Sequence, residues 1–297
     1  MGSAGLLGGL TWAELGRRAW IEIYHSDILG RSAQLSYYFL LALFPLLLFL
    51  IALLGSFAEA GTKLRANLLA YLTALAPASA STLIYTTVDE ISRNSGSGKL
   101  SFGLLASLWA ASAGMGAIID ALNAAFDVTE SRPWWKARLV ALGLTITLAV
   151  LIISALALML YGSDIARMVA GQFGYGDAFT RAWSVAQWPF VLGFVFISCG
   201  LIYYFAPNLP GRQWRWITPG AIIAVALWLL VSFGLRVYLY YFDSYSRTYG
   251  SLGAVIILML WFYLTGAAVL IGGEVNSVIA KAQASRRKFQ SPGSDPL

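Results

Sequence analysis

Apolar runs long enough to cross a bilayer recur along this chain, separated by connections that carry most of its charges. The stretch SYYFLLALFPLLLFLIALLG, residues 36–55, contains no charged side chain and has Pro45 near its centre. About twenty residues at about 1.5 Å rise each cover about 30 Å, the hydrocarbon thickness of a bilayer. Runs of this kind lie at roughly residues 34–56, 100–125, 139–161, 184–206, 216–240 and 252–276. The pattern predicts an all-α, polytopic membrane protein with about six transmembrane helices.

The composition supports the same class of protein. Hydrophobic residues make up 59% of the chain, charged residues 11%, and the mean hydropathy is +0.70, whereas soluble domains carry about 25% charged residues. The single cysteine, Cys199, lies in an apolar run, which excludes a disulfide framework and a thiolate metal site. The run at 100–125 is rich in small residues, so a full crossing and a re-entrant helix both stay open.

Two further segments have one apolar face and are predicted to lie at the membrane surface. Thr11 and Glu14 form a capping-box pattern, and apolar residues then share one face of the predicted helix: Trp12, Leu15, Ala19 and Ile23. In the first outer loop, residues 62–94 predict two more amphipathic helices, either a fixed cap or a moving lid. The chain therefore divides into a cytoplasmic segment 1–32, a transmembrane domain 33–280 and a basic, disordered tail 281–297.

Lysine and arginine set the expected orientation. They are in excess in the N-terminal segment, the second and fourth connections and the tail, which favours cytoplasmic N- and C-termini in a bacterial inner membrane. The basic tail is expected to contact anionic lipid of the inner leaflet, at about 1 kcal/mol per basic residue near the surface. The net charge of +6 therefore indicates a membrane partner and not nucleic acid. Small-residue helix faces would allow a homo-oligomer without requiring one.

Polar residues inside the apolar runs are the candidate functional groups, because an ionisable side chain there is costly. Counting along the helices places one group at the cytoplasmic mouth of the bundle: Gln34, Asp120, Asn123, Glu274 and Asn276. The topology brings Arg31, Arg132 and Arg138 close enough to pair with them. A site for a substrate head group or a coupling cation is one interpretation. Helix capping and interfacial ion pairing is the other.

A second group of candidates lies on the outer side. Arg236 is near the outer end of the fifth run, with Asp243, Arg247 and Tyr249 just beyond it. This group could hold a phosphate or a sugar, although snorkelling of Arg236 and an aromatic belt explain the same residues. Pro45 and Gly250 are candidate hinges, with a simple packing kink as the alternative for Pro45.

Catalysis has little support in the sequence. The chain has one histidine, His25, and neither a nucleophile elbow nor a P-loop. Asp120, Asn123 and Asp127 are the one arrangement resembling metal ligands, and they lack further acidic groups nearby. We therefore expect no catalytic residue, no bound metal and no cofactor.

Several motifs, in order and with suitable spacing over roughly residues 15–280, carry a resemblance to a known family. They are AQLSYYFLLALFPLLLFLIALLG, SLWAASAGMGAIIDALNAAFDV, ESRPWWKAR, YYFAPN, WRWITPGAIIAVALWLL, YGSLGAVIILMLWFYLTG and GGEVN. The chain resembles the YihY/BrkB family of bacterial multi-pass inner-membrane proteins, formerly labelled ribonuclease BN. The resemblance implies six spanning helices and an envelope location. It also implies recurrent polar or helix-bending positions at Tyr37, Tyr38, Pro45, Asn123, Arg132, Pro207, Pro219, Gly220, Tyr249, Gly250, Glu274 and Asn276.

The leading functional hypothesis is a transporter or flippase-like protein for an anionic amphiphile, a lipid or glycolipid, in envelope biogenesis. In it, Arg132 and Arg138 attract the head group, while Asp120 and Glu274 gate the site or couple protons. A non-transporting scaffold that recruits envelope partners is the alternative. A membrane-bound ribonuclease or other hydrolase has the least support from the residues.

Overall fold

The computed structural model describes residue 7 and residues 9–57, 98–173, 177–209, 218–241 and 251–290, and in this part of the chain the regular structure is entirely α-helical. The helices are α1 (Trp12–His25), α2 (Ile28–Phe57), α3 (Gly98–Ala125), α4 (Trp134–Phe173), α5 (Asp177–Phe205), α6 (Pro219–Tyr241) and α7 (Ser251–Gln290). Two of them, α4 and α7, contain 40 residues each. At about 1.5 Å per residue each is about 60 Å long, so both exceed the thickness of the hydrocarbon core.

Five helices of the described part are long and apolar enough to cross a membrane. The spans are Leu105–Ala125, Trp134–Met159, Phe179–Phe205, Pro219–Tyr241 and Val255–Arg286. Helix α2 covers the first predicted run, and Pro45 lies inside it without ending it. The prediction of an all-α, polytopic membrane protein is therefore confirmed, while the number of six spans stays a prediction.

Helix α7 is the centre of the bundle, because it packs against α1, α2, α3 and α6. Helices α4 and α5 pack against each other, and α4 joins the bundle through α3. The main core contains side chains from six helices, among them Ile28, Leu35, Leu122, Tyr203 and Leu270. Apolar side chains on the outside of α4, α5 and α6 are largely exposed, as expected for helices that face lipid.

A close backbone approach joins α6 to α7. A Cβ atom added at Gly220 would overlap the carbonyl oxygen of Gly272, and one added at Gly272 would lie 2.5 Å from the carbonyl oxygen of Gly220. Small residues at such crossings let helix backbones come close enough for dispersion forces to hold them together in lipid. Gly272 and Gly220 thereby fix the height of α6 along α7.

Helix α1 begins as its sequence predicts but uses its apolar face differently. The hydroxyl of Thr11 accepts a hydrogen bond from the backbone N–H of Glu14 at 3.2 Å, so Thr11 is the N-cap. Leu15 and Ala19 are buried against Val275, Val278 and Ile279 of α7 and not against a bilayer. The outward face carries Trp12, Trp20, Ile21 and Tyr24, which are between 46% and 65% exposed, a composition typical of a membrane interface.

The segment predicted as a basic tail from residue 281 begins inside α7. Helix α7 continues to Gln290, because Lys281 and Arg286 are held by other parts of the chain. The Arg286 guanidinium donates to the carbonyl of Gly9 at 2.9 Å. The beginning of the chain and the end of α7 therefore lie at the same end of the bundle, called here the termini end.

Some predictions fall outside the described residues. They are the outer amphipathic helices at 62–94, the outer candidates Asp243, Arg247 and Tyr249, the hinge candidate Gly250, and the last part of the tail, residues 291–297.

Candidate functional site

A hydrogen-bonded clasp joins the end of α3 to the connection that follows it. The Asn123 amide donates to one carboxylate oxygen of Glu130 at 3.0 Å. The Arg132 guanidinium binds both oxygens of the same carboxylate, at 2.8 and 2.6 Å, and the backbone N–H of Arg132 donates to it as well. Bidentate arginine–carboxylate pairs are strong and directional. Glu130 is therefore a fixed anion at the centre of the connection between α3 and α4.

The same clasp reaches the end of α5. Arg132 donates to the carbonyl oxygens of Phe205 at 3.3 Å and Ala206 at 2.8 Å, which would otherwise be unpaired helix-end acceptors. The backbone N–H of Asn208 donates to the Asn123 side chain at 2.7 Å. The Asn208 amide then donates to Thr129 and Ser131. Asn123 and Arg132, predicted as substrate ligands, thus hold three chain segments together at the termini end.

Acidic pH is expected to weaken this clasp. The hydrogen bond from the Arg132 side chain lowers the pKa of Glu130 from 4.5 to about 2, although partial burial acts in the opposite direction. Because the pKa is lower in the folded protein, the stabilisation is present above about pH 4.5 and is lost as the pH falls towards 2. Because Glu130 is partly exposed to solvent, screening reduces this stabilisation to about 1 kcal/mol. Melting temperatures measured between pH 5 and pH 2.5 should fall more steeply in the wild type than in Glu130→Gln. Equal slopes would contradict the prediction. The control is Glu14→Gln, at a half-exposed carboxylate of α1, which should leave the slope unchanged.

Asn276 caps the beginning of α6. Its side-chain oxygen accepts from the backbone N–H of Gly220 at 3.0 Å, and its amide donates to the Thr218 hydroxyl at 3.0 Å. Thr218 also accepts from the backbone N–H of Ala221. Both side chains border a cavity of about 430 Å³ between α5, α6 and α7. Asn276 therefore stabilises the α6–α7 contact and faces an open space beside it.

Glu274 lies two residues earlier on α7 and points elsewhere. Its side chain is fully buried, and neither carboxylate oxygen has a hydrogen-bond partner of good geometry in the described part of the chain. The Ser26 side chain is close enough to act on it. The hydroxyl of Ser277, one turn further on, is also buried and without a partner among the described residues. A buried polar group without a partner costs several kcal/mol, more if it is charged, so Glu274 needs a functional explanation.

Three charged side chains act on Glu274 at the termini end. Lys281 on α7 pairs with Asp127 at 2.6 Å and with Glu22 of α1 at 3.5 Å, and all three charges act on the Glu274 carboxylate. Asp127 has a φ of 52° just after α3, a left-handed conformation that aspartate tolerates at helix ends. One lysine therefore faces three carboxylates, and a change in the charge of Glu274 must alter how Lys281 divides between them.

The remaining inner candidates lie apart from these groups. Arg138 stacks on the Trp109 ring, 4.1 Å from its centroid, and donates to the Trp109 carbonyl. Asp120 is exposed on α3, where the charges of Glu130 and Arg31 act on it. Gln34 is exposed on α2. Of the outer candidates, Arg236 is exposed on α6, about 25 Å from the beginning of that helix.

The single polar cluster expected from the sequence is therefore several separate groups. Asn123 and Arg132 meet through Glu130, Asn276 meets Thr218, and Glu274 faces the α1–α2 turn. Sequence reasoning missed some partners altogether: Glu130, Asn208, Thr218, Glu22 and the pairing of Lys281. In the described ranges no three His, Cys, Asp or Glu side chains come together as a possible metal site.

Comparisons with known proteins agree on the kind of molecule. The family model described as "Virulence factor BrkB" matches residues 19–295. The "Putative ribonuclease-like protein YfkH" of Bacillus subtilis is 39% identical over 255 residues, covering 85% of this chain and 90% of that protein. A "UPF0761 membrane protein" of Xanthomonas oryzae is 28% identical over 271 residues. The match covers 89% of this chain and 60% of the Xanthomonas protein. No solved structure matches.

Proposed function

This chain belongs to the virulence factor BrkB family of membrane proteins, and we propose that it moves an anionic amphiphile, a lipid or glycolipid, between the leaflets of the bacterial inner membrane. In this proposal both termini are cytoplasmic, so the termini end is the inner mouth of the bundle. The protein acts as a transporter or flippase and not as an enzyme.

The observation that carries the proposal is Glu274. An ionisable side chain inside a spanning helix is expensive and is retained where it binds or transfers something. Glu274 is fully buried on α7, the helix that contacts most of the others, and among the described residues only the Ser26 side chain comes near it, without good hydrogen-bond geometry. A neutral, protonated carboxyl is tolerated in such a place, whereas the carboxylate draws on Lys281. Proton uptake and release at Glu274 would thus rearrange the Glu22–Lys281–Asp127 group that joins α1, α3 and α7.

The other candidates take more limited roles. Arg138 of α4 stacks on Trp109 of α3, whose ring also contacts Trp134, and so supplies a cation beside tryptophans where an anionic head group would arrive. Arg132 has its donors engaged in the clasp, and we assign it to positioning. Pro45 allows α2 to bend, since proline cannot make the helical hydrogen bond to Leu41.

Transbilayer movement measured in liposomes tests the proposal. Purified protein would be reconstituted with fluorescent phosphatidylglycerol or a fluorescent glycolipid, and movement followed by chemical quenching of the outer leaflet. We expect the wild type to exceed empty liposomes and Glu274→Gln to lower the rate at least tenfold. The matched control is Glu14→Gln, at a half-exposed carboxylate of α1 that pairs with Arg18. Equal rates for Glu274→Gln and wild type would remove Glu274 from the mechanism, and rates no higher than those of empty liposomes would refute transport.

A further inference from the structure

The cavity beside Asn276 has a definite chemical character. It measures about 430 Å³ and lies between the end of α5, the beginning of α6 and the last turns of α7. This volume falls within the range of small-molecule sites, about 300–1,000 Å³. It is a different place from the Glu274 environment, because Glu274 is not among its lining residues. The cavity is at the termini end, where an amphiphile would meet the bundle from one membrane surface.

The polar atoms of the cavity are hydroxyl and amide groups. Thr218 accepts two hydrogen bonds and keeps its own proton to donate. Asn276 has one amide hydrogen beyond its bond to Thr218. The side-chain amide of Gln283, half-buried on α7, makes no hydrogen bond with the described residues. None of the described side chains lining the cavity is charged.

Aromatic rings supply the rest of the wall. Tyr203 is 6% exposed and its hydroxyl donates to the carbonyl of Val269 at 2.7 Å, which fixes the ring as a flat surface. Tyr204 and Phe126 also line the cavity. Flat apolar rings next to separate hydroxyl and amide groups suit a ligand that has hydroxyls at its edge and C–H bonds on its faces.

Other ligand classes fit this lining less well. An acyl chain would cover Thr218, Asn276 and Gln283 and leave their remaining hydrogen-bonding groups without water, which is unfavourable for each buried polar group. A phosphate would be bound without any counter-charge from the described lining. A hexose satisfies both the hydroxyl and amide groups and the rings.

We propose that this cavity binds an uncharged, hydroxyl-rich group such as a hexose, presented by a glycolipid. The inference deepens the proposed function, on which it rests for the role of the ligand as cargo, by selecting glycolipid over phospholipid. Any negative charge of the amphiphile stays outside the cavity. Binding itself is independent of transport, so the two can fail separately.

Equilibrium binding by the full-length protein tests the inference. The probes are monoglucosyl diacylglycerol, diacylglycerol, phosphatidylglycerol and free methyl β-glucoside, each titrated in detergent and followed by native mass spectrometry. Ala280→Phe fills the cavity, and Gln283→Leu removes one polar group without breaking a described hydrogen bond. Ala182→Phe, exposed near the other end of α5, and Gln172→Leu, exposed on α4, are the matched controls. Size-exclusion profiles verify that all variants are folded.

The wild type should retain the glucosyl lipid at least tenfold better than diacylglycerol or phosphatidylglycerol. Ala280→Phe and Gln283→Leu should lose this preference, and the controls should keep it. Competition by methyl β-glucoside alone, with no gain from the lipid part, would identify a free-sugar site and overturn the glycolipid. Equal retention of all three lipids, or unchanged selectivity in both cavity variants, would overturn the cavity as the site. Selective binding without transbilayer movement would refute transport and support the sugar site. Movement without selective binding would support transport and refute the sugar site.

Discussion

Gly220→Ala is expected to disrupt the packing of α6 on α7 and to cause a large loss of stability. The new Cβ would overlap the Gly272 carbonyl and lie 2.5 Å from the side-chain carbon of Asn276. Neither backbone can move away without breaking the α6 cap. Overpacking costs about 1–3 kcal/mol where flexible side chains can yield, so we expect at least about 3 kcal/mol here. The measurement is unfolding by SDS in mixed micelles.

Gly234→Ala is the matched control on the same helix. A Cβ at Gly234 meets nothing within 4 Å, and alanine within a helix is favoured over glycine by about 1 kcal/mol. We expect this variant to be neutral or slightly more stable than the wild type. Similar losses in both variants would mean that α6 does not depend on the close approach at Gly220.

Arg132→Ala is expected to destabilise the protein by about 3 kcal/mol. The substitution leaves Glu130 without its counter-charge and the carbonyls of Phe205 and Ala206 without donors. Hydrogen bonds that involve a charged group contribute about 1.5–3 kcal/mol each. Solvent lowers this value for the bonds to Glu130, whose side chain is 25% exposed, and the bonds to the two carbonyls make up the rest. Arg132→Lys should recover less than half of the loss, since an ammonium group cannot bind both carboxylate oxygens and two carbonyls together.

Arg167→Ala provides the comparison for a surface pair. Arg167 and Asp164 are 68% and 61% exposed, and such pairs contribute less than about 1 kcal/mol. SDS unfolding of both arginine variants, together with the liposome rates, separates two roles for Arg132. Unchanged stability with lost transport would identify it as a head-group ligand, as the sequence pattern suggests. Lost stability with transport proportional to the folded fraction would identify it as a positioning residue.

Helical periodicity explains which predictions the sequence could support. The class of protein, the Thr11 cap and most of the membrane spans follow from local patterns, and these predictions agree with the described helices. Glu274 and Asn276, however, were grouped by depth alone. Side chains two residues apart on a helix point about 200° away from each other around its axis. Asn276 therefore contacts α6, whereas Glu274 faces the α1–α2 turn. That division could have been derived from the spacing.

The clasp could not have been derived in the same way. Asn208 bonds to Asn123 across 85 residues, and Arg132 reaches Ala206 across 74. These contacts depend on how α5 ends beside α3, which local patterns do not specify. The sequence does not single out Glu130, because the groups around it come from separate parts of the chain.

The packing of α1 on α7 has a consequence for biosynthesis. Leu15 and Ala19 are synthesised well before their partners Val275 and Val278, which lie far along the chain. At about 5–20 residues per second, α1 waits about 13–50 seconds for the helix that covers it. During this interval a lipid surface is the nearest apolar phase, and α1 has the capped, tryptophan-bearing sequence of a helix that rests there. Its amphipathic pattern thus suits two successive environments, a bilayer surface while the chain grows and α7 once that helix is inserted.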